Sequence, residues 1–317
     1  MRYRTLGRTR LCVSEVSLGT VELGMEYGLK EDGESSVPAE TVARNLLNRA
    51  IDSGVNFIDT AAQYGNSEEI IGRALKDRRS EYVLATKCMH RLDEGLDYPG
   101  SRRSVSDSID QSLSRLQTGH IDLLQIHGRD SIELEQRMIR DGEVMDELEK
   151  ARKAGKVRYL GYSSYSEDAA LAAIEDGRWD TIQIACNILD RRYLKRVIPE
   201  ARRRGVGVIV RSALLKGALT EKIRFMPEKL KPLSEHIDRL VEIQSATPYS
   251  LPELALRFVL SIRDISTIIV GADRMKYLEE AVSTSDGLGL SGELLLKLDG
   301  MSLEDPFLLN PGNWGIP

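Results

Sequence analysis

The sequence predicts a closed (β/α)8 barrel, in which eight parallel strands are surrounded by helices. Three observations support this fold class: the length of 317 residues, the recurrence of short apolar runs, and a helical pattern after each run. The runs do not alternate polar and apolar residues, which is typical of strands buried on both faces of a parallel sheet. There are eight of them, at 13–18, 55–59, 82–86, 121–126, 157–162, 181–185, 207–210 and 266–270.

The segments between these runs carry helix signals. Ser166 precedes two acidic residues, so a capping hydroxyl and charges that the helix dipole favours come together. The last connection is long and holds two more helical patterns, at 234–246 and 252–260. Because no linker or low-complexity tract interrupts the series, a single domain over residues 1–317 is expected.

A doubly wound open sheet is the structural alternative, and it makes a specific demand. A dinucleotide-binding domain of that class carries G-x-G-x-x-G between its first strand and first helix. The first turn here has the sequence GTVELG, which lacks the pattern. The literal match at Gly287, Gly289 and Gly292 follows no predicted strand and opens no βαβ unit. We interpret it as a chance match.

The composition excludes several classes of function. The formal net charge is −5, which argues against a surface built to attract the phosphate backbone of nucleic acid. Three cysteines without a C-x-x-C pair indicate neither a disulfide framework nor a zinc site. The start MRYRTLGRTR contains no apolar leader, and no apolar run reaches the roughly 18 residues that a membrane span needs. A cytoplasmic protein without metal or membrane partners is expected.

Ionisable side chains stand at three successive strand ends. Asp59 ends the second predicted strand, Lys87 follows the third, and His127 follows the fourth. Tyr64 lies in the loop after Asp59. In a (β/α)8 barrel the reactive groups lie at the C-terminal ends of the strands. Each residue alone has an ordinary structural explanation, but the set together predicts a catalytic site.

The set suits reduction of a carbonyl by an external hydride. A phenol has an unperturbed pKa of about 10 and is a weak acid at neutral pH, but a nearby ammonium group favours its phenolate. Asp59 would keep Lys87 charged, and His127 would donate a hydrogen bond to the carbonyl oxygen. The alternative chemistry is a Schiff-base lyase with Lys87 as its amine, which the pairing with Asp59 disfavours.

The segment DTAAQYGNSE, at 59–68, resembles the first signature of the aldo-keto reductases. Lys87 in ATK and His127 in IHG match the other two catalytic positions of that family, and the resemblance covers nearly the whole chain. It implies a barrel that binds NADP(H) in extended form. Tyr64 is then the general acid, and Lys87 lowers its pKa. Asp59 is the partner of Lys87, and His127 orients the carbonyl.

The same resemblance implies cofactor contacts at several strand ends. Ser163, Ser164 and Gln183 match the residues that bind the carboxamide. Arg211 stands where many members place an aromatic ring against the nicotinamide; a guanidinium can also stack, but its charge disfavours the oxidised ring. Lys216 would be a cation beside the pyrophosphate. The implied contacts are Gly19, Thr20, Val21, Asp59, Ser163, Ser164, Gln183, Arg211, Ser212, Ala213, Leu214, Lys216, Gly217, Gly271, Asp273, Arg274, Tyr277 and Glu280.

The segment 270–280 resembles the region that grips the adenosine 2′-phosphate. Arg274, at a predicted helix start, would be the phosphate ligand. Asp273 stands where relatives often carry lysine or serine, and an acid there repels a phosphate. Ala281 stands where an adenine-contacting asparagine is common. NADP(H) is expected, with NAD(H) as the alternative.

The sequence offers only a few candidate substrate contacts. Val21, His90 and Arg129 are the candidate contacts, and relatives often present a tryptophan at the position of Val21. The chain contains only four phenylalanines and two tryptophans, so a polar wall and a sugar, polyol or other small oxygen-rich carbonyl compound are expected. The C-terminal tail would either close over the site through Phe307 or Trp314 or be a disordered end.

A protein of another class is the alternative to an enzyme. It would be a sensor or accessory subunit of the same fold that binds the cofactor with little turnover. The complete set of four residues favours the enzyme. The oligomeric state is left open by the sequence.

Overall fold

Eight parallel strands close into a barrel, which confirms the predicted fold class. The computed structural model describes residues 1–30, 35, 37–88, 98–128, 137–141 and 144–316. Before the barrel, β1 (Tyr3–Thr5) and β2 (Cys12–Ser14) form an antiparallel hairpin. The barrel strands are β3 (Val16–Gly19), β4 (Phe57–Asp59), β5 (Val83–Cys88), β6 (Ile121–His127), β7 (Val157–Ser163), β8 (Thr181–Ala185), β9 (Gly207–Arg211) and β10 (Thr267–Gly271). Each pairs with the next, and β10 closes the ring on β3.

Helices follow the barrel strands and surround them. Those described are α1 (Val21–Gly24), α2 (Glu40–Asp52), α3 (Ser67–Leu75), α4 (Tyr98–Arg115), α5 (Met145–Lys153), α6 (Glu167–Asp176), α7 (Val197–Arg204), α8 (Lys231–Ser245), α9 (Leu251–Leu260), α10 (Met275–Ser283), α11 (Gly292–Asp299) and α12 (Pro306–Leu309). The two patterns expected in the last connection are α8 and α9. Ser166 caps α6 as predicted, because its hydroxyl accepts a hydrogen bond from the amide of Ala169. Within the described ranges, no helix has both the length and the apolarity to cross a membrane.

The prediction for the first strand is wrong in one respect. The run 13–18 was expected as one strand, but it spans the end of β2 and most of β3. Glu15 separates the two strands, and its carboxylate accepts a hydrogen bond from Arg4 Nε at 2.8 Å. The run VSEVSL mixes apolar residues with two serines and a glutamate throughout, and nothing in it marks the change from an antiparallel hairpin to a parallel barrel.

The hairpin seals the N-terminal end of the barrel. Leu6, in the hairpin turn, and Val13, in β2, are completely buried. They belong to one apolar cluster with Phe57, Leu123 and Ile209 of β4, β6 and β9. Apolar side chains therefore fill this end, and the open end lies where the strands terminate.

The C-terminal tail packs against the barrel domain. Trp314 is completely buried and belongs to the main apolar core, and the carbonyl of Ile316 accepts a hydrogen bond from Lys216 Nζ at 2.9 Å. Phe307 is 43% exposed. The described part of the tail is thus held against the domain, and neither aromatic side chain lines the large cavity described below.

Replacement of Trp314 tests this packing. The Trp314→Ala variant should lose about 3–5 kcal/mol of unfolding free energy, because a large buried aromatic leaves a cavity. The matched control Phe307→Ala should stay within about 0.5 kcal/mol of the wild type. Urea unfolding followed by circular dichroism measures both, and equal effects of the two changes would contradict the packing described.

Candidate active site

A cavity of about 710 Å³ opens at the C-terminal ends of the barrel strands. Its volume is in the range of sites for small molecules and cofactors. It brings together most of the residues predicted from the sequence. Those in its wall are Gly19, Thr20, Val21, Asp59, Tyr64, His127, Gln183, Arg211, Ser212, Ala213, Leu214, Lys216, Gly217, Gly271, Asp273, Tyr277 and Glu280.

Asp59 and Lys87 form a buried ion pair below this cavity. Lys87 Nζ lies 2.5 Å from Asp59 Oδ2 and also donates to the carbonyl of Thr60 at 3.0 Å. The two side chains are 1% and 4% exposed. Charges as buried as these are stable only when they are paired and hydrogen-bonded. The sequence-based pairing of these two residues agrees with this geometry.

Two glutamine amides complete the surroundings of the carboxylate. Gln125 and Gln183 donate from Nε2 to Asp59 Oδ1 at 3.1 and 3.0 Å. Gln183 Nε2 also lies 3.2 Å from Gln125 Oε1. Sequence analysis assigned Gln183 only to the cofactor and gave Gln125 no function. Its position two residues before His127 was the available signal, since residues two apart in a strand point to the same face.

Tyr64 and His127 face each other above the ion pair. Their ring centroids are 6.1 Å apart at an interplanar angle of 86°, and Lys87 Nζ lies 5.0 Å from the centroid of the Tyr64 ring. The loop that carries Tyr64 is held closely, because a Cβ on Gly24 would lie 2.1 Å from the Tyr64 carbonyl oxygen. The four residues from the strand ends are therefore neighbours.

The pKa of Tyr64 shifts in the direction opposite to the expectation. Burial of the phenol raises its pKa well above the usual value, and the negative charge of Asp59 raises it further. The Arg211 guanidinium opposes this rise. The Lys87 charge is matched by Asp59 at 2.5 Å, so the pair presents little net charge to the phenol. Tyr64 is consequently a protonated phenol at neutral pH.

Arg211 is held in the wall by an aromatic ring and two oxygens. Its guanidinium carbon lies 4.3 Å from the centroid of the Tyr165 ring. Nη2 donates to the carbonyl of Ser164 at 3.0 Å, and Nη1 donates to the Ser212 hydroxyl at 3.3 Å. Its Nε is buried without a hydrogen-bond partner among the described residues. Tyr165, which also lines the cavity, was missed by sequence analysis.

Lys216 is already engaged by the C-terminal tail and by an aromatic ring. Besides its hydrogen bond to the tail carbonyl, its Nζ lies 4.9 Å from the centroid of the Tyr27 ring. Burial lowers the pKa of Lys216 to about 8. The expected pyrophosphate cation is thus present in the wall, but part of its hydrogen-bonding capacity is used by the tail.

Several expected residues lie elsewhere. Ser163 and Ser164 are buried and do not belong to the cavity wall. Arg274, the expected phosphate ligand, is exposed at the start of α10 and is also outside the wall. The candidate substrate contacts His90 and Arg129 fall outside the described residues.

Glu22 is a wall residue that sequence analysis did not identify. Its carboxylate lies against Gly271, where an added Cβ would come within 2.0 Å of Glu22 Oε1. Its Oε2 is buried without a hydrogen-bond partner among the described residues. Burial raises the pKa of Glu22 to about 7; the Lys222 charge lowers it and the Asp273 charge raises it. These groups meet only through the fold, because they come from three distant segments of the chain.

Comparisons with known proteins agree with this geometry. The model of the Aldo/keto reductase family matches residues 15–293. L-galactose dehydrogenase of Arabidopsis thaliana is 32% identical over 95% of this chain and 94% of its own length. The NADH-specific methylglyoxal reductase of Escherichia coli is 27% identical over 89% of this chain and 93% of its own. The holo form of an aldo-keto reductase from Bacillus halodurans superposes with a TM-score of 0.77 at 28% identity, covering 96% of this chain and 97% of that one.

The Glu22→Gln variant tests the burial of this carboxyl group. Since its folded-state pKa of about 7 lies above the ordinary value of 4.5 for a glutamate, its contribution to stability is intact below pH 4.5 and is lost as the pH rises through 7. Without this ionisation, the variant should be more stable than the wild type at pH 8 by an amount on the order of 3 kcal/mol. Near pH 4.5 the difference should be smallest. Urea unfolding at both pH values measures it, and a difference that does not change with pH would contradict the raised pKa.

Proposed function

The chain belongs to the aldo-keto reductase family, and we propose that it interconverts a small carbonyl compound and its alcohol with Tyr64 as the proton donor. Members of this family are oxidoreductases that use nicotinamide cofactors. The observation that carries the proposal is the grouping of Tyr64, His127 and the buried Lys87–Asp59 pair at one end of a single cavity.

The residues of this chain fit a nicotinamide dinucleotide, NADP(H) or NAD(H). The cavity has room for an extended ligand, and the buried Arg211 Nε lacks a partner among the described residues. Thr20, Arg211 and the segment 212–217 would hold the nicotinamide half. Once bound, the nicotinamide ring supplies the hydride.

The protein's contribution is the proton and the electrostatic surroundings. In the direction of reduction, the carbonyl oxygen gains negative charge, and Tyr64 donates its proton to that oxygen. The raised pKa keeps the phenol protonated beforehand, so the proton is available when the charge develops. His127, beside Tyr64, donates a hydrogen bond to the same oxygen.

Arg211 and Lys87 stabilise the phenolate that remains. Arg211 already lowers the pKa of Tyr64. Lys87 lies 5.0 Å from the ring, where its charge gains effect as the phenol loses its proton. In the direction of oxidation the same groups operate in reverse, with the phenolate of Tyr64 accepting the alcohol proton.

A polar substrate fits the wall. Tyr27, Tyr165 and Arg211 line the cavity beside the proposed proton donor, and they offer hydroxyl and guanidinium groups to a ligand. A sugar, polyol or similar oxygen-rich compound presents matching hydroxyls. The similarity to L-galactose dehydrogenase supports the same substrate class.

Replacement of the phenol tests the proton donor. The Tyr64→Phe variant should lower kcat by about 10²–10⁴-fold, the usual effect of losing general acid catalysis. The dissociation constant of the reduced cofactor should stay nearly unchanged. Steady-state oxidation of NADPH and NADH over a panel of aldehydes and sugars, with fluorescence titration of both cofactors, measures these quantities.

Tyr27→Phe is the matched control, because it removes another phenol from the same cavity. It should retain kcat within a few-fold of the wild type, while KM for a polyol or sugar substrate rises because a hydroxyl proposed to contact it is lost. Wild-type turnover in Tyr64→Phe would refute the assignment of the proton donor.

Replacement of the lysine separates the reductase from a Schiff-base lyase. Lys87→Met should abolish most carbonyl reduction and shift the limb of the pH–rate profile that belongs to Tyr64. Because Asp59 loses its counter-charge, we also expect a loss of about 3–5 kcal/mol of stability. The wild type, treated with borohydride and candidate carbonyl compounds, should keep its unmodified mass. A covalent adduct on Lys87 would instead establish the lyase chemistry.

A further inference from the structure

We infer that the nucleoside end of the cavity accepts a ribose with a free 2′,3′-diol, so that the cofactor is NAD(H) and not the NADP(H) expected from the sequence. This inference rests on the proposed function, which places the nicotinamide beside Tyr64. The second nucleoside of an extended dinucleotide must then occupy the other part of the same cavity. That part is bounded by α1, by the segment Glu221–Phe225, by the start of α9 and by the β10–α10 turn.

Charged groups in this part of the wall largely cancel in pairs. Lys222 Nζ lies 3.0 Å from Asp273 Oδ2, and Lys276 Nζ lies 3.8 Å from Glu280 Oε1. Glu253, a third acidic residue in this wall, is paired with Arg257 of α9, whose Nε lies 2.9 Å from Glu253 Oε1. Lys222 is therefore committed to Asp273, whereas the exposed Lys276 pair is weak and lies at the rim.

Two further carboxyl groups line this region. Glu22 has no ion pair among the described residues, and Glu221 accepts a hydrogen bond from the Tyr277 hydroxyl at 2.6 Å. Arg274, which was expected to balance a 2′-phosphate, is exposed and stands outside the wall, and its charge, with those of Lys276 and Arg224, acts on Glu221. A phosphate, carrying a charge of −1.5 to −2 near neutral pH, would lie beside the Asp273 and Glu22 carboxyl groups without a buried cation of its own.

The same part of the wall contains carboxylate oxygens that accept no hydrogen bond from the described residues. Asp273 has a side chain that is 10% exposed, and its Oδ1 is buried without a hydrogen-bond partner among the described residues. Glu22 Oε2 is also buried without a hydrogen-bond partner among the described residues. A buried carboxylate oxygen without a partner is costly, and a ligand that donates hydrogen bonds would relieve that cost.

A ribose diol supplies what these acceptors lack. Each hydroxyl of the diol can donate to a carboxylate oxygen, which is how an acidic residue holds an unphosphorylated ribose in other dinucleotide sites. A 2′-phosphate removes one of those donors and places a charge beside the acids. Asp273 acts against NADP(H) in two ways, because it repels the phosphate and also occupies Lys222.

Direct binding measurements test the inference independently of turnover. We expect the wild-type chain to bind NADH at least about 10-fold more tightly than NADPH by fluorescence titration, since one charged hydrogen bond is worth about that factor or more. NAD⁺ and NADP⁺, measured by calorimetry, should differ in the same direction. Asp273→Ser, which frees Lys222, should tighten NADPH by about 10-fold or more and leave NADH within about three-fold.

Two further variants make the result specific. Glu22→Gln keeps the shape of the side chain and should also tighten NADPH relative to NADH. Asp168→Ser, the same change at a side chain that is 90% exposed, should leave the ratio unaltered. If Asp273→Ser does not fold, as judged by circular dichroism, the isosteric Asp273→Asn takes its place.

The possible outcomes separate this inference from the proposed function. Tighter wild-type binding of NADPH than of NADH would overturn the inference and leave the reductase assignment intact. An unchanged ratio in both the Asp273 and Glu22 variants would also overturn it. Failure of all four nucleotides to bind would refute the proposed function, and this inference with it.

Discussion

The buried ion pair of Lys87 and Asp59 is the interaction on which the rest of the site depends. Each charge is nearly excluded from solvent, so neither is stable there without the other and the surrounding hydrogen bonds. The groups that satisfy the pair come from β4, β5, β6 and β8. A slip of one residue in any of these strands would turn the group away from the barrel interior. The pairing register of the barrel strands therefore determines whether the ion pair at the open end can form.

The barrel and the grouping of the four proposed catalytic residues could be predicted because both produce a clear contrast in the sequence. Apolar strands stand out against polar helices, and an ionisable residue stands out at the end of an apolar strand. Gln125 and Gln183 were harder to interpret, since a polar residue within a strand carries no sign of its partner. The boundary between β2 and β3 was missed because valine and serine occur in both strands, and no glycine or proline marks the break between them.

The nucleoside part of the cavity shows a different limit of sequence analysis. Glu22, Lys222 and Asp273 come from segments separated by about 200 and 50 residues. Whether Lys222 offers its charge to a ligand or to Asp273 depends on a distance of 3.0 Å, which no local pattern encodes. The two ends of the cavity differ accordingly: both carboxylate oxygens of Asp59 accept hydrogen bonds from the protein, whereas Asp273 Oδ1 and Glu22 Oε2 have no partner among the described residues.

The hairpin beneath the barrel has a consequence for how ligands would enter. Leu6 and Val13 close the N-terminal end, and the cavity opens at the strand ends. Under the proposed function, cofactor and substrate would both enter there, and the molecule bound nearer the ion pair would have to arrive before the other. An ordered kinetic scheme is thus an expectation of the proposed function, and it would be imposed by apolar side chains that touch neither reactant.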